Sequence, residues 1–274
     1  EERDRGDGGV RRVAPQYQPA ALYTLPRMPI YSRKDKVMQL DSYTFSCSGG
    51  MVSNEDAVEK RNLPDGLLCV LADGGGEQTH GGTASRLVAE TMRRSPYETG
   101  CDAARWLEER LLEANALICS GQKNFQCTMT STAVALLLQG EQAYWSNIGD
   151  SRLYFLHGSS ICAVTEDHTE AYEKYKAGQI SRSQIVQEER SVLLRSLGRT
   201  ECRPDSAASG RLETGDAFLL CSDGLWSYLR DEEILIDRLK SRTAGQWGEL
   251  LLLRAAERLH SDSGNLSLIT VMVQ

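Results

Sequence analysis

Leu67-Leu68-Cys69-Val70-Leu71-Ala72-Asp73-Gly74-Gly75-Gly76 is the stretch on which the reading of this chain turns. Six apolar residues in succession predict a strand buried on both faces. One carboxylate, Asp73, closes it, and three glycines follow. A carboxylate is costly to bury unless it is paired or binds a metal. Glycines lack the Cβ that would keep a ligand from the backbone. Taken alone, a strand ending in a tight Asp-Gly turn is the commoner case. The pattern recurs, though, because apolar strands also run into Gly149-Asp150 and Asp223-Gly224.

Working outward, Tyr43–Ser48 reads as a first strand that leads into Gly49-Gly50-Met51-Val52-Ser53-Asn54-Glu55-Asp56. After the glycines, Leu87, Val88 and Thr91 have helical spacing over Ser85–Arg94. Asp102 is a candidate N-cap for a long amphipathic helix carrying Trp106, Leu107, Leu111, Ala114 and Leu117 inward. Strands follow at Thr130–Leu138 and Gln142–Asn147, then Leu153–His157 and Ile161–Thr165 about a Gly158-Ser159 turn. Glu166–Arg190 is polar and helix-prone, a surface excursion over one sheet edge. Ser206–Leu212 and Ala217–Cys221 flank a turn, Asp231–Leu239 and Gln246–His260 are helical, and Leu266–Val273 is a closing strand. Hairpin-linked strands with few inserted helices predict an α+β layered fold and argue against parallel winding. No repeat of 20–50 residues is evident.

The 274 residues suffice for a large core, as one domain or two small ones. An apolar content of 41% and a charged content of 25% are ordinary for a globular protein. A net charge of −7 argues against nucleic acid as a partner. No apolar run approaches the length of a membrane span. The eight cysteines form no CxxC pair, so reduced thiols in a cytoplasmic protein are expected rather than disulfides or a zinc cluster. Residues 1–35 lack periodicity and read as a mobile arm ahead of a domain over 36–274. A chain starting at Glu1 reads as a processed or truncated product in which a targeting signal would not be visible.

The chemistry falls to acids at strand ends: Glu55 and Asp56, Asp73, Asp150 and Asp223, with Asp167 beside His168 as an outlier. Singly, each is more often a turn or cap residue. Together they suit hard, oxygen-loving divalent ions such as magnesium or manganese. Paired ions of that kind activate water against a phosphoryl group.

The order of these motifs resembles the metal-dependent type 2C Ser/Thr protein phosphatase family, in its bacterial branch. The resemblance runs from about Thr44 to Val273. It rests on Asn54-Glu55-Asp56-Ala57, Ala72-Asp73-Gly74-Gly75-Gly76, Thr130-Ser131-Thr132-Ala133, Asn147-Ile148-Gly149-Asp150-Ser151-Arg152, Glu166-Asp167-His168-Thr169, Leu194-Arg195-Ser196-Leu197-Gly198 and Leu220-Cys221-Ser222-Asp223-Gly224-Leu225-Trp226. Each is weak alone, and the shared order is specific. The resemblance implies a four-layer α-β-β-α sandwich of two antiparallel sheets flanked by helices, with a metal cleft at one end and a flap over 166–190. It implies two Mn2+ or Mg2+ ions and a third, weaker site. Asp73 would bridge the two ions. Asp56, Glu55 and the Gly74 carbonyl would serve one of them, Asp223 the other, and Asp150 with Asp223 the third. A metal-bridging hydroxide would then hydrolyse phosphoserine or phosphothreonine in a protein substrate, counteracting a Ser/Thr kinase.

Two departures fall on positions the resemblance makes important. Asp262-Ser263-Gly264-Asn265 puts glycine where the family has a metal-binding aspartate. Asp262 reads more simply as a solvated loop residue than as a substitute. Four residues before Glu55, where the family has a phosphate-clasping arginine, stands Met51, and no shift of register restores a cation. Gly75 likewise removes a proton donor, for which His80 is the nearby alternative. These departures leave three functions open: an active phosphatase, a pseudophosphatase that binds without turnover, and a phosphohydrolase for small esters.

Overall fold

The computed structural model describes residues 38–76, 80–187, 192–261 and 263–274, so the expected arm over 1–35 and Asp262 lie outside the described residues. In chain order the elements are β1 (Leu40–Cys47), β2 (Asp56–Leu63), β3 (Gly66–Gly76), α1 (Gly81–Arg94), α2 (Ala103–Phe125), β4 (Met129–Ser131), β5 (Ala133–Gln139) and β6 (Gln142–Ile148). They continue as β7 (Arg152–His157), β8 (Ser160–Val164), α3 (Glu170–Lys176), a 3-10 turn (Arg182–Gln187), β9 (Asp205–Arg211), β10 (Ala217–Cys221), α4 (Asp223–Trp226), α5 (Asp231–Lys240), α6 (Ala244–Ala256) and β11 (Leu266–Val273).

Two antiparallel sheets carry the fold. One is ordered β1-β11-β10-β7-β8; the other is β2-β3-β5-β6-β9, with β4 added beside β3. The period-2 alternation of β3 explains why its apolar run is unbroken. Leu67, Cys69 and Leu71 enter the core between the sheets, where they join Val134, Leu136, Phe218, Leu220, Ile269 and Val271. Leu68, Val70 and Ala72 face the other way, onto Val88, Met92, Leu107, Leu111 and Ile118 of α1 and α2. In the opposite sheet Leu219 and Leu268 face α6 through Trp247 and Leu251. Three apolar layers therefore separate four layers of secondary structure, α-β-β-α, as expected from the resemblance.

Four local expectations are corrected. β2 was not foreseen as a strand. Its sequence, Asp-Ala-Val-Glu-Lys-Arg-Asn-Leu, lies at a sheet edge, where charged residues block further pairing. The strand expected over Thr130–Leu138 is interrupted at Thr132, which separates β4 from β5. Leu117 is 45% exposed, and Ile118 takes the inward position on α2 instead, a one-residue error in helical phase. Asp223 opens a four-residue helix, α4, where only a turn was expected. The Asp102 cap does form, accepting from the amide of Arg105 at 3.1 Å.

The segment over 166–187 holds α3 and the 3-10 turn, packed on each other through Ala171, Tyr172 and Ile185. All eight cysteines are free. Among the described residues no helix is long and apolar enough to cross a membrane.

Candidate metal centre

Asp56 opens β2 and stands directly opposite Asp73 in the β2–β3 register. Residues so opposed project from the same face, which brings the two carboxylates together. Asp223 reaches them from the other sheet, from the first residue of α4 just after β10. The Asp73 carboxyl lies near enough to both Asp223 and Asp56 for their charges to act on it. Asp150 lies where the chain leaves β6 for β7, passing from one sheet to the other, and its charge is felt at Asp73.

The backbone fixes each acid in place. The Asp73 amide donates to Thr132 Oγ1 at 3.0 Å, and the Thr132 amide returns a bond to the Asp73 carbonyl at 2.8 Å. The interruption between β4 and β5 thus falls on the residue that holds Asp73 from both sides. Gly149 has φ +96°, and a Cβ on it would come within 2.6 Å of the Thr132 side chain, so the turn presenting Asp150 requires glycine. Buried His168 accepts the Gly149 amide on Nδ1 at 3.1 Å and pairs through Nε2 with Asp205 at 3.0 Å. Trp226 Nε1 donates to the Asp150 carbonyl at 2.9 Å, and the Arg152 guanidinium stacks 3.5 Å from the Trp226 ring centroid.

Asp167, the outlier of the sequence reading, belongs to this support. It accepts a bidentate pair from Arg152 Nε and Nη2, at 2.8 and 2.6 Å, and both residues are buried. Glu55 sits at the flank of the cluster. Its Oε2 would be 2.5 Å from a Cβ on Gly81, and its carbonyl receives the Gly74 amide at 3.2 Å. A Cβ on Gly74 would meet the Gly81 carbonyl oxygen at 2.1 Å, so only glycine lets α1 pack this closely behind Asp73.

The electrostatics are those of crowded acids. Burial pushes Asp73 well above the ordinary carboxylate range, and the charges of Asp223, Asp56 and Asp150 push it further. Burial likewise raises Asp150, with Asp223 adding to it. Burial raises Asp56 to about 6 against opposing hydrogen bonds from Ser267 and Ser222. Asp223 is raised as well; the residue reaches solvent, but protein packs around its carboxyl. Ser222 Oγ donates to Asp56 Oδ2 at 2.9 Å, whereas buried Asp56 Oδ1 has no partner.

An orphaned carboxylate oxygen amid mutually repelling acids fits a divalent cation. Among the described residues no three acidic, histidine or cysteine side chains already close on one point as a cage. That is compatible with a hydrated hard ion such as magnesium, which keeps several waters and takes only one or two carboxylates.

A family model for protein phosphatase 2C matches residues 47–250. The chain belongs to the protein phosphatase 2C family. The serine/threonine phosphatase stp of Listeria welshimeri is 29% identical over 203 residues, covering 71% of this chain and 77% of that protein. The crystal structure of the Mycobacterium tuberculosis serine/threonine phosphatase PstP/Ppp superposes with a TM-score of 0.76 at 27% identity, over 86% of this chain and 99% of that one. A second structure, the catalytic domain of PstP in complex with two manganese ions, gives 0.75 at 26% identity over the same shares. Members of the family are metal-dependent, and the fold matches theirs.

The two departures can be located. Met51 is half exposed and Val52 fully exposed, on a loop between β1 and β2. Asn265 clamps that loop: its Nδ2 donates to the Ser48 and Ser53 carbonyls at 3.1 and 2.9 Å, and its Oδ1 accepts the Glu55 amide at 2.8 Å. Gly264 lies next to this clamp, and a Cβ there would meet nothing within 4 Å. His80 caps α1 without a side-chain capping bond. Sequence reasoning quoted Thr132, Ser222 and Asn265 within motifs but assigned them no work. The available signal was their type: short hydrogen-bonding side chains set against apolar strands, where burial demands a partner.

Proposed function

We propose that this chain hydrolyses phosphoserine and phosphothreonine in proteins, as a metal-dependent enzyme of its family. The observation that carries the reading is the crowding of Asp56, Asp150 and Asp223 about Asp73, beside an Asp56 carboxylate oxygen that is buried without a partner among the described residues. Asp73, the most crowded of the acids, would help to hold two Mn2+ or Mg2+ ions. Asp56, Glu55 and the Gly74 carbonyl would serve one, Asp223 the other, and Asp150 with Asp223 a third, weaker position. Bound there, such ions supply Lewis acidity, acidifying a coordinated water and offsetting phosphoryl charge. Asp73 and Asp223 would carry the catalytic burden, since Asp73 stands opposite Asp56 on its own sheet and close to Asp223 from the other. The Thr132 bracket, the His168–Gly149 bond and the Trp226–Asp150 bond hold the acids at fixed spacing, which catalysis by positioning requires. The substrate would be a protein phosphorylated by a cytoplasmic Ser/Thr kinase.

Gly264 and Met51 favour a second reading, a pseudophosphatase that keeps the fold as a binding module. Hydrolysis of p-nitrophenyl phosphate and a phosphothreonine peptide with added manganese decides between them, with Asp73→Asn as control. Manganese-dependent turnover abolished by the substitution is the expected result. A folded protein with no turnover at millimolar manganese would leave the binding module standing.

A further inference from the structure

A phosphate monoester carries close to two negative charges, and a guanidinium on the substrate side adds charge-assisted hydrogen bonds beyond what bound ions neutralise. The loop tip next to the cleft offers none, since Met51 and Val52 project into solvent there. Arg152 is near enough for its charge to act on Asp150 and Asp223, but its Nε and Nη2 are engaged by Asp167, its Nη1 by the Tyr154 hydroxyl and one face by Trp226. It is committed to holding the site together.

Arg86 is differently placed. It lies on the exposed side of α1, and among the described residues its side chain has no hydrogen bond or ion pair. As expected for a helical side chain, it runs back toward the N-terminal end of its helix. A Cβ on Gly82 would sit 3.1 Å from Arg86 Nη1, 3.5 Å from Nη2 and 3.5 Å from the Cα of Glu55. The neighbouring Gly81 backs directly onto Gly74 and the Glu55 carboxylate. Gly74 and Gly81 are packed backbone to backbone, and the Arg86 guanidinium lies over Gly82, beside the backbone of Glu55 at the flank of the acids. A β-carbon on Gly82 would crowd that guanidinium.

We propose that Arg86 is the substrate-binding cation of this chain, meeting the phosphate oxygens from the α1 side, beside Glu55. The inference rests on the metal-centre reading of the same site. A planar guanidinium with all its donors unengaged matches a phosphate face in two parallel bonds, which a lysine cannot do. Arg86 has that freedom because it pairs with nothing among the described residues, whereas Arg152 is used in support.

The test is binding of inorganic phosphate by calorimetry to the full chain saturated with magnesium, beside peptide hydrolysis with manganese. Arg86→Gln should weaken phosphate binding about 10- to 100-fold, the scale of lost hydrogen bonds to a charged group. It should raise KM for a phosphothreonine peptide in parallel and leave the magnesium titration and the melting temperature unchanged. Arg86→Lys should restore part of the phosphate affinity. Unchanged phosphate affinity in Arg86→Gln overturns the assignment, as does wild-type protein that binds magnesium but no phosphate. A fall in magnesium affinity alongside would recast Arg86 as structural and overturn it too. Arg86-dependent phosphate binding without turnover would uphold Arg86 and overturn only the catalytic reading.

Discussion

Asp56 has the most readable environment of the four acids. Its pKa rises from 3.8 to about 6 on folding without metal, chiefly through burial. A raised carboxylate pKa favours the folded state below about 3.8, and that advantage is lost as pH climbs through about 6. Metal binding requires the ionised form and must expel the proton. Calorimetric titration with manganese in buffers of different ionisation enthalpy should show more protons released per ion at about pH 5.5 than at about pH 7.5, with weaker apparent affinity at the lower pH. Gly264 supports a second prediction. Open space at its β-position means that Gly264→Asp can be built without displacing a neighbour. It should tighten manganese binding by about 10-fold or more, on the scale known for lost metal-site partners; an unchanged titration would place residue 264 outside the coordination sphere. At this scale the sequence was informative where a residue type is costly. Asp73 could be singled out because a carboxylate ends an apolar run. The partner of Asp56 could not, because a serine 166 residues away donates to it.

Thr132 belongs to the scale of elements, because it decides where one strand ends and another begins. It stands opposite Asp73 and exchanges two hydrogen bonds with that residue, while its hydroxyl also meets Ser151 Oγ at 2.7 Å. Thr132→Val keeps the shape and removes the hydroxyl. The Asp73 amide and Ser151 then lose a partner in a buried setting, at a cost of about 1–3 kcal/mol. Urea unfolding should register that loss, and the manganese titration should weaken because the bridging acid is less firmly held. Stability lost with metal affinity intact would separate the two roles. The same residue explains a limit of the sequence reading. Thr130 to Leu138 looks like one strand because threonine is a good strand former, and propensity carries no information about a side chain that bonds across to β3. β2 was missed for a related reason: its charges suit an exposed edge and hide the alternation. β3, β10 and β11 were legible because both of their faces are apolar.

Over the whole molecule the acids divide between the sheets. Asp56 and Asp73 come from one, Asp223 from the other, and Asp150 from the crossing between them. The layered fold was legible because alternation and turn residues specify strands locally. This convergence was not, because it depends on pairings such as Asp56 with Asp73 and β10 with β7. A metal at this junction would tie the two sheets together, and without metal the same acids push them apart. Ligand binding to the folded state alone adds about 2.7 kcal/mol at a hundredfold excess over Kd. Manganese should therefore raise the melting temperature of the wild-type chain. Asp73→Asn removes the most crowded charge and should melt higher than the wild type when both are metal-free at about pH 8, where the repulsion among ionised acids is strongest. The variant should gain little or nothing from manganese, so that the order of the two proteins reverses once metal is added. A variant that melts lower than the wild type in chelator would mean that Asp73 is retained for packing. The reversal would mean that this chain tolerates a strained junction between its sheets in order to bind metal there.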